Sequence, residues 1–229
     1  MLHAKNLTLT YPDGNETITA VNNISLTIED YQFVGILGPS GSGKSSLLYL
    51  LSGMKQPSSG DVLIDDRAYS KLNEADRIEL RRTTFGFVFQ QQFLIDYLTV
   101  LENVMVAAVG EKEAQVAQAR ALLADLGLAK KLHRYPHQLS GGERQRVAVA
   151  RAAIHRPRVI FADEPTGLLD RHSGLQVISL LRSVTTHGSL VAVTHNPEIL
   201  SEADLILTLR EGRIVKVDDR VSRQKEVVS

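Results

Sequence analysis

Five short stretches are apolar at nearly every position: 33–37, 85–89, 159–162, 190–193 and 205–209. Runs this brief, with no polar side, suit strands covered on both faces, as in a mostly parallel sheet flanked by helices. The segment before them differs. Ile24, Leu26 and Ile28 alternate with Asn23, Ser25 and Thr27, the period-two pattern of a half-exposed antiparallel strand. A small N-terminal antiparallel sheet is therefore expected. Between residues 90 and 154 the period turns helical: Val116, Ala119, Leu122, Leu123 and Leu126 form one stripe that stops at Gly127, a helix C-terminal signal. No strand pattern interrupts this stretch, which predicts a helical subdomain inserted into an α/β core. Residues 1–229 read as one domain, and the polar segment 218–229 is expected to fray.

Composition narrows the function classes. Lys plus Arg equal Asp plus Glu at 26 each, so no net positive field favours a polyanion, and no nucleic-acid partner is expected. The absence of cysteine removes disulfides and thiolate metal sites. With no charged start followed by an apolar run, and no uninterrupted apolar stretch of about 18 residues, the chain is expected in the cytoplasm. It should neither enter nor cross a membrane unaided.

Gly38-Pro39-Ser40-Gly41-Ser42-Gly43-Lys44-Ser45 fits G-x-x-x-x-G-K-[ST], directly after an apolar strand and before the helical Ser46-Leu47-Leu48-Tyr49-Leu50-Leu51. Glycines let the backbone curl so that successive N–H groups face one anion, and the following helix points its positive dipole end there. Lys44 would bridge the β- and γ-phosphates of ATP, and Ser45 would ligate Mg²⁺. A second candidate lies at Asp163-Glu164, where the strand beginning at Val159 runs out into two acids. A carboxylate at a strand's C-terminal edge is where an open α/β sheet places ligand chemistry. Asp163 suits Mg²⁺ through its water shell, and Glu164 suits the general base that orients or deprotonates the attacking water. Having both acids points to turnover rather than to binding alone.

Leu139-Ser140-Gly141-Gly142-Glu143-Arg144-Gln145 precedes a strong helix former run from 146 to 154. Ser140-x-x-Glu143 has capping-box spacing, so the helix N-terminus would present Ser140 and the N–H groups of Gly141 and Gly142 to an anion. Here the chain resembles the ATPase domains of ATP-binding cassette (ABC) transporters, whose signature is L-S-G-G-x, and the resemblance runs from about residue 2 to 217. It implies an α/β fold: a P-loop NTPase (RecA-like) core with a mostly parallel sheet, an N-terminal antiparallel β subdomain and an inserted helical subdomain.

The resemblance also implies that the signature's anion is the γ-phosphate of ATP bound to a second copy, in a head-to-tail dimer holding two ATP molecules. Tyr11 matches the aromatic that stacks on adenine. Gln90 matches the glutamine that senses Mg²⁺ and the attacking water and links to the membrane partner. His195 matches the histidine that contacts the γ-phosphate, and Asp170 the aspartate of the loop that crosses the dimer interface. Ser46, next to Ser45, belongs to the same nucleotide-binding set. By contrast the histidines at 133, 137, 155, 172 and 187 match no catalytic position and are expected at the surface.

Within the family, 139–146 together with Ala162-Asp163-Glu164-Pro165-Thr166-Gly167 look most like ATPases of the MacB/LolD type, which serve macrolide and peptide export and lipoprotein release. That subgroup usually has Asn where this chain has Leu168. Importer ATPases share Phe89-Gln90 and the stretch 98–103. A regulatory ATPase of envelope or division machinery, moving no substrate, is the other alternative. The apolar side chains between Gln90 and Leu98 fall where such ATPases dock a separate integral-membrane permease, which implies a peripheral position on the inner face of the cell membrane. DNA-repair and translation ATPases with the same signature carry long coiled coils or a second cassette, and neither is present here.

Overall fold

Strand β1 (Leu2–Asp13) turns back into β2 (Glu16–Ile28), and β3 (Phe33–Leu37) leads through a glycine-rich loop into helix α1 (Lys44–Leu51). Then follow β4 (Ser59–Ile64), β5 (Arg67–Ala68), α2 (Glu74–Thr84) and β6 (Phe85–Phe89). Helices α3 (Val100–Met105), α4 (Lys112–Asp125) and α5 (Gly141–Ala153) come next, before β7 (Val159–Asp163) and α6 (Arg171–Val184). Strands β8 (Ser189–Thr194), β9 (Leu205–Arg210) and β10 (Arg213–Asp219) are the last elements among the described residues. The structure is a computed structural model that describes residues 1–14 and 16–220. Two compact units emerge: Met1–Arg81 with Val191–Ser229, and Arg82–Leu190.

In the first unit the antiparallel sheet has the order β2-β1-β4-β5. The alternation of β1 changes phase midway, with Leu2 and Ala4 buried, then Leu7 and Leu9. A bulge between Ala4 and Leu7 causes the shift, and Asn6 takes its left-handed turn at φ 50°, where an Asn is among the better tolerated residues. The Ser25 hydroxyl satisfies the Asn6 N–H at 2.9 Å. Across the pair, Ile24 and Ile28 are buried as their alternation predicts. In the same unit β3 runs parallel to β9 and β9 antiparallel to β10. Leu47, Leu48, Leu50 and Leu51 of α1 are fully buried.

The second unit contains the parallel pair β6 and β7. Phe85 of β6 and Phe161 of β7 meet edge to face at 5.2 Å, and β7 is buried throughout. Helices α3, α4 and α5 pack on one another. The predicted stripe of α4 is partly realised: Ala119, Leu123 and Leu126 are buried, and Gly127 ends the helix at φ 73°. Asn103 is fully buried, accepting from Ile95 N–H at 2.7 Å and donating to the carbonyls of Ile95, Leu98 and Thr99. A buried amide satisfied on every side fixes the backbone around it.

Helix α5 begins at Gly141, as the capping-box spacing of Ser140 and Glu143 implies. Two expectations need correction. Residues 218–220 do not fray: β10 includes Asp218 and Asp219, and Arg220 donates to the carbonyls of Leu200 and Ser201; residues 221–229 lie outside the described residues. His155 is not a surface residue. Burial lowers its proton affinity, opposed by a hydrogen bond to the Phe85 carbonyl and assisted by Arg82; its Nε2 donates to that carbonyl at 3.1 Å. His133, His137, His172 and His187 are exposed as expected.

Candidate functional site

The loop between β3 and α1 is shaped by its glycines. Gly43 adopts φ +96°, and a Cβ there would come within 2.0 Å of the Ala20 carbonyl oxygen, so only glycine fits. The loop is tied to neighbouring strands by Gly212 N–H donating to Ser42 O at 3.0 Å and Asn22 N–H donating to Gly212 O at 2.8 Å. Pro39, Ser40 and Gly41 are exposed, whereas Gly38, Ser42 and Lys44 are buried. Lys44 Nζ donates to the Pro39 carbonyl at 3.0 Å, curling the side chain back over the loop. The Ser42 hydroxyl is buried with no hydrogen-bond partner among the described residues. A buried ammonium, an unsatisfied hydroxyl and the first turn of α1, which contains Ser45 and Ser46, make a cradle chemically suited to a polyanion.

Tyr11 and His195 also belong to the first unit. Lys55 Nζ donates to the Tyr11 hydroxyl at 2.8 Å and lies 4.0 Å from the ring centroid. Burial alone would raise the Tyr11 phenol, but hydrogen bonds from Lys55 and Ser46 and the Lys55 charge outweigh it and hold the phenol below its ordinary value. His195 is exposed directly after β8.

The second unit carries the acids and the signature. Asp163 ends β7 and is 8% exposed. Glu164 follows in the left-handed region, φ 45°, a costly conformation for a side chain with a Cβ. Gln90 is exposed after β6; its side-chain amide passes so close to Gly167 that a Cβ there would lie 2.9 Å from Nε2. The structure thus brings Gln90 against the loop that leaves the two acids.

Ser140 caps α5 in a full capping box. Its N–H donates to the Glu143 carboxylate at 2.8 Å, and its hydroxyl accepts from Glu143 N–H at 3.3 Å. These contacts hold the Glu143 carboxyl below the usual carboxylate range, the Ser140 N–H first among them, against an opposing effect of burial. Nothing lies within 4 Å of the Cβ position of Gly141 or Gly142, so an anion can approach the helix end freely. Asp170 caps α6, accepting from Ser173 N–H at 3.0 Å and Ser173 Oγ at 2.6 Å. Ser140, Gly142 and Asp170 line one cavity of about 380 Å³ with Arg146, Leu168 and Gln176.

A groove of about 350 Å³ is lined by Gln92, Phe93, Leu94, Pro136, His137 and Arg144. Phe93 is 63% and Tyr97 80% exposed beside it. Sequence reasoning missed what fixes this groove: Arg151 of α5 donates to the carbonyls of Gln92 and Phe93, both at 2.7 Å. It also missed Lys55 and Asn103, since nothing in their local pattern singles them out.

The donor set bears on Mg²⁺. No group of three or more His, Cys, Asp or Glu able to hold a metal exists among the described residues. Of the residues expected from the sequence to ligate Mg²⁺, Asp163 and Gln90 of the second unit contribute one carboxylate and one amide, and Ser45 of the first unit a hydroxyl; a donor set with one carboxylate suits an ion that keeps several waters and shares phosphate ligands. No helix among the described residues is long and apolar enough to cross a membrane.

Comparison with known proteins agrees with this geometry. The family described as ABC transporter matches residues 21–167. An uncharacterized ABC transporter ATP-binding protein of Methanocaldococcus jannaschii, MJ1508, is 44% identical over 95% of this chain and 99% of its own. The lipoprotein-releasing system ATP-binding protein LolD of Wigglesworthia glossinidia brevipalpis is 40% identical over 94% of this chain and 96% of its own. The macrolide export ATP-binding/permease protein MacB of Pectobacterium atrosepticum is 41% identical across the whole chain, which spans 36% of that relative's length. A dimeric ATP-binding cassette, MJ0796, solved in a post-hydrolysis state with ADP and Pi, superposes with a TM-score of 0.88 at 36% identity, covering 96% of this chain and 99% of that one. The chain belongs to the ABC transporter family, as an ATP-binding cassette with a P-loop NTPase fold.

Proposed function

We propose that this chain is the ATP-hydrolysing subunit of an ABC transporter of the MacB/LolD type, working as a head-to-tail pair with a separate integral-membrane permease. Its likeness to LolD, an ATP-binding protein of a lipoprotein-releasing system, over nearly the full length of both chains supports this type. The observation that carries the reading is the capped, sterically open start of α5 at Ser140, Gly141 and Gly142. Anion-binding helix ends of this kind complement a phosphate already held elsewhere, and the dimeric relative supplies a precedent for two copies.

In this reading Tyr11 stacks on adenine, and the backbone of Gly38, Pro39, Ser40, Gly41, Ser42 and Gly43 wraps the phosphates with Lys44, Ser45 and Ser46. Ser45, Gln90 and Asp163 would hold Mg²⁺, which would supply charge neutralisation to the nucleotide's phosphates. Glu164 takes a proton from water as its oxygen attacks the γ-phosphorus; the bond from that phosphorus to the bridging oxygen breaks, and ADP leaves. His195 and the second copy's signature stabilise charge on the transferring group, and Asp170 joins the two sites. Binding of two nucleotides closes the pair, hydrolysis reopens it, and the groove beside Phe93 passes the motion to the permease. The chain then sits at the cytoplasmic face of the membrane through that partner.

Steady-state hydrolysis tests the assignment. Glu164→Gln should bind ATP as the parent does and lose nearly all turnover; undiminished turnover contradicts the role given to Glu164.

A further inference from the structure

The Tyr11 phenol is held from the end of α1. Lys55 lies just beyond the last turn of that helix, its own N–H donating to Tyr49 O at 3.0 Å, and its ammonium donates to the Tyr11 hydroxyl at 2.8 Å while standing 4.0 Å from the ring centroid. Tyr11 sits near the tip of the β1–β2 hairpin, paired with Ile18, which is 52% exposed. A hairpin tip with such a neighbour has no packed core to orient an aromatic ring, so the ring's direction must come from its polar contacts. Lys55 makes no ion pair among the described residues; its charge is committed to Tyr11.

We propose that Lys55 is a positioning residue for the nucleotide base: it clamps the Tyr11 hydroxyl and covers one side of the ring, leaving the other side to receive a purine. The inference rests on the reading of Tyr11 as the base-stacking residue and extends it. Stacking alone needs only a π face, which phenylalanine supplies equally well. The clamp needs the hydroxyl. A tyrosine here is then distinguished from any other aromatic by its tether to the helix that follows the phosphate loop, so base and phosphates are held in one register.

Lys55→Met removes the charge and keeps the length; Tyr11→Phe removes the hydroxyl and keeps the ring. Each is expected to raise the KM for ATP about two- to fivefold, the factor an exposed cation–π contact carries, while kcat moves by less. Their combination should be no worse than either alone, and Lys55→Arg should restore most of the loss. Binding of inorganic tripolyphosphate, which has no base, should be the same in parent and Lys55→Met. The ring carbon signal of Tyr11, followed by NMR through a pH titration without nucleotide, should show the phenol rising toward its ordinary value in Lys55→Met. A KM unchanged in both Tyr11→Phe and Lys55→Met, with Tyr11→Ala weakened, overturns the clamp and leaves stacking standing. An unchanged KM in Tyr11→Ala overturns the stacking reading itself, and the NMR titration then still decides whether Lys55 holds Tyr11: an unmoved phenol rejects the contact.

Discussion

Arg151 reaches from α5 to donate to the carbonyl of Phe93 at 2.7 Å, so the helix that begins at the signature ends by gripping the groove-forming loop. Phe93 itself is strained, with φ 46°, and its ring rests edge to face on Phe89 at 5.6 Å. The guanidinium is largely buried, which lowers its proton affinity, and no carboxylate pairs with it among the described residues. A charge buried against carbonyls alone is a poor investment for stability unless those carbonyls need holding.

Arg151→Met should therefore loosen the loop more than the fold. Amide hydrogen exchange of residues 91–97 should accelerate at least tenfold, while α5 keeps its protection apart from a general loss of about 1–3 kcal/mol. Equal acceleration across the whole second unit would mean that Arg151 is only structural.

Gly43 and Gly141 should respond oppositely to alanine. At Gly43 the left-handed backbone and the Ala20 carbonyl oppose a Cβ, so Gly43→Ala should lose ATP binding and at least about 2 kcal/mol in urea unfolding. Gly141 is helical and open; Gly141→Ala should hold or slightly raise the unfolding midpoint while cutting ATPase activity. A fall in the Gly141→Ala midpoint equal to that of Gly43→Ala would contradict the steric account.

Glu143 makes the capping box pH-sensitive. Its folded proton affinity is below the ordinary 4.5, chiefly through the Ser140 N–H, so its stabilising contribution is full above that value and fades as pH falls through the lower folded one. Denaturant midpoints of the parent and Glu143→Gln should differ at neutral pH and converge in acid. Ser140→Ala should cost about 1 kcal/mol.

His155 should act in the same direction nearer neutrality. Burial lowers its proton affinity from 6.5, so the folded state holds it neutral and loses stability as pH falls below that value. A His155→Gln chain should show a flatter stability curve between about pH 7 and 5; an unchanged slope would assign the curve to other groups.

Much of this was legible beforehand. The five apolar runs are strands β3 and β6 to β9, the phosphate loop sits between β3 and α1, and Ser140 caps the signature helix as its spacing with Glu143 implies. What escaped has physical reasons. Strand β1 breaks its own alternation at the Asn6 bulge, which no fixed period reveals. Helix α2 buries no residue and so leaves no stripe. Helix α6 does carry a readable stripe in Gly174, Val177, Ile178 and Leu181, overshadowed by the glycines before it. Lys55 and Arg151 act through long side chains on groups distant in the chain, the Tyr11 phenol and the carbonyls of Gln92 and Phe93, and sequence spacing is blind to such reach. His155 was misplaced because its burial comes from the start of β6, 70 residues away.

The central claim is that two copies close on ATP through the phosphate loop of one and Ser140 of the other. Sedimentation velocity on Glu164→Gln tests it most directly. With excess ATP and Mg²⁺ the 25.2 kDa chain should sediment as a dimer and return to monomer when nucleotide is removed, and adding Ser140→Arg to Glu164→Gln should keep it monomeric. A Glu164→Gln chain that binds ATP yet stays monomeric at every concentration, or a dimer indifferent to Ser140→Arg, would contradict the account.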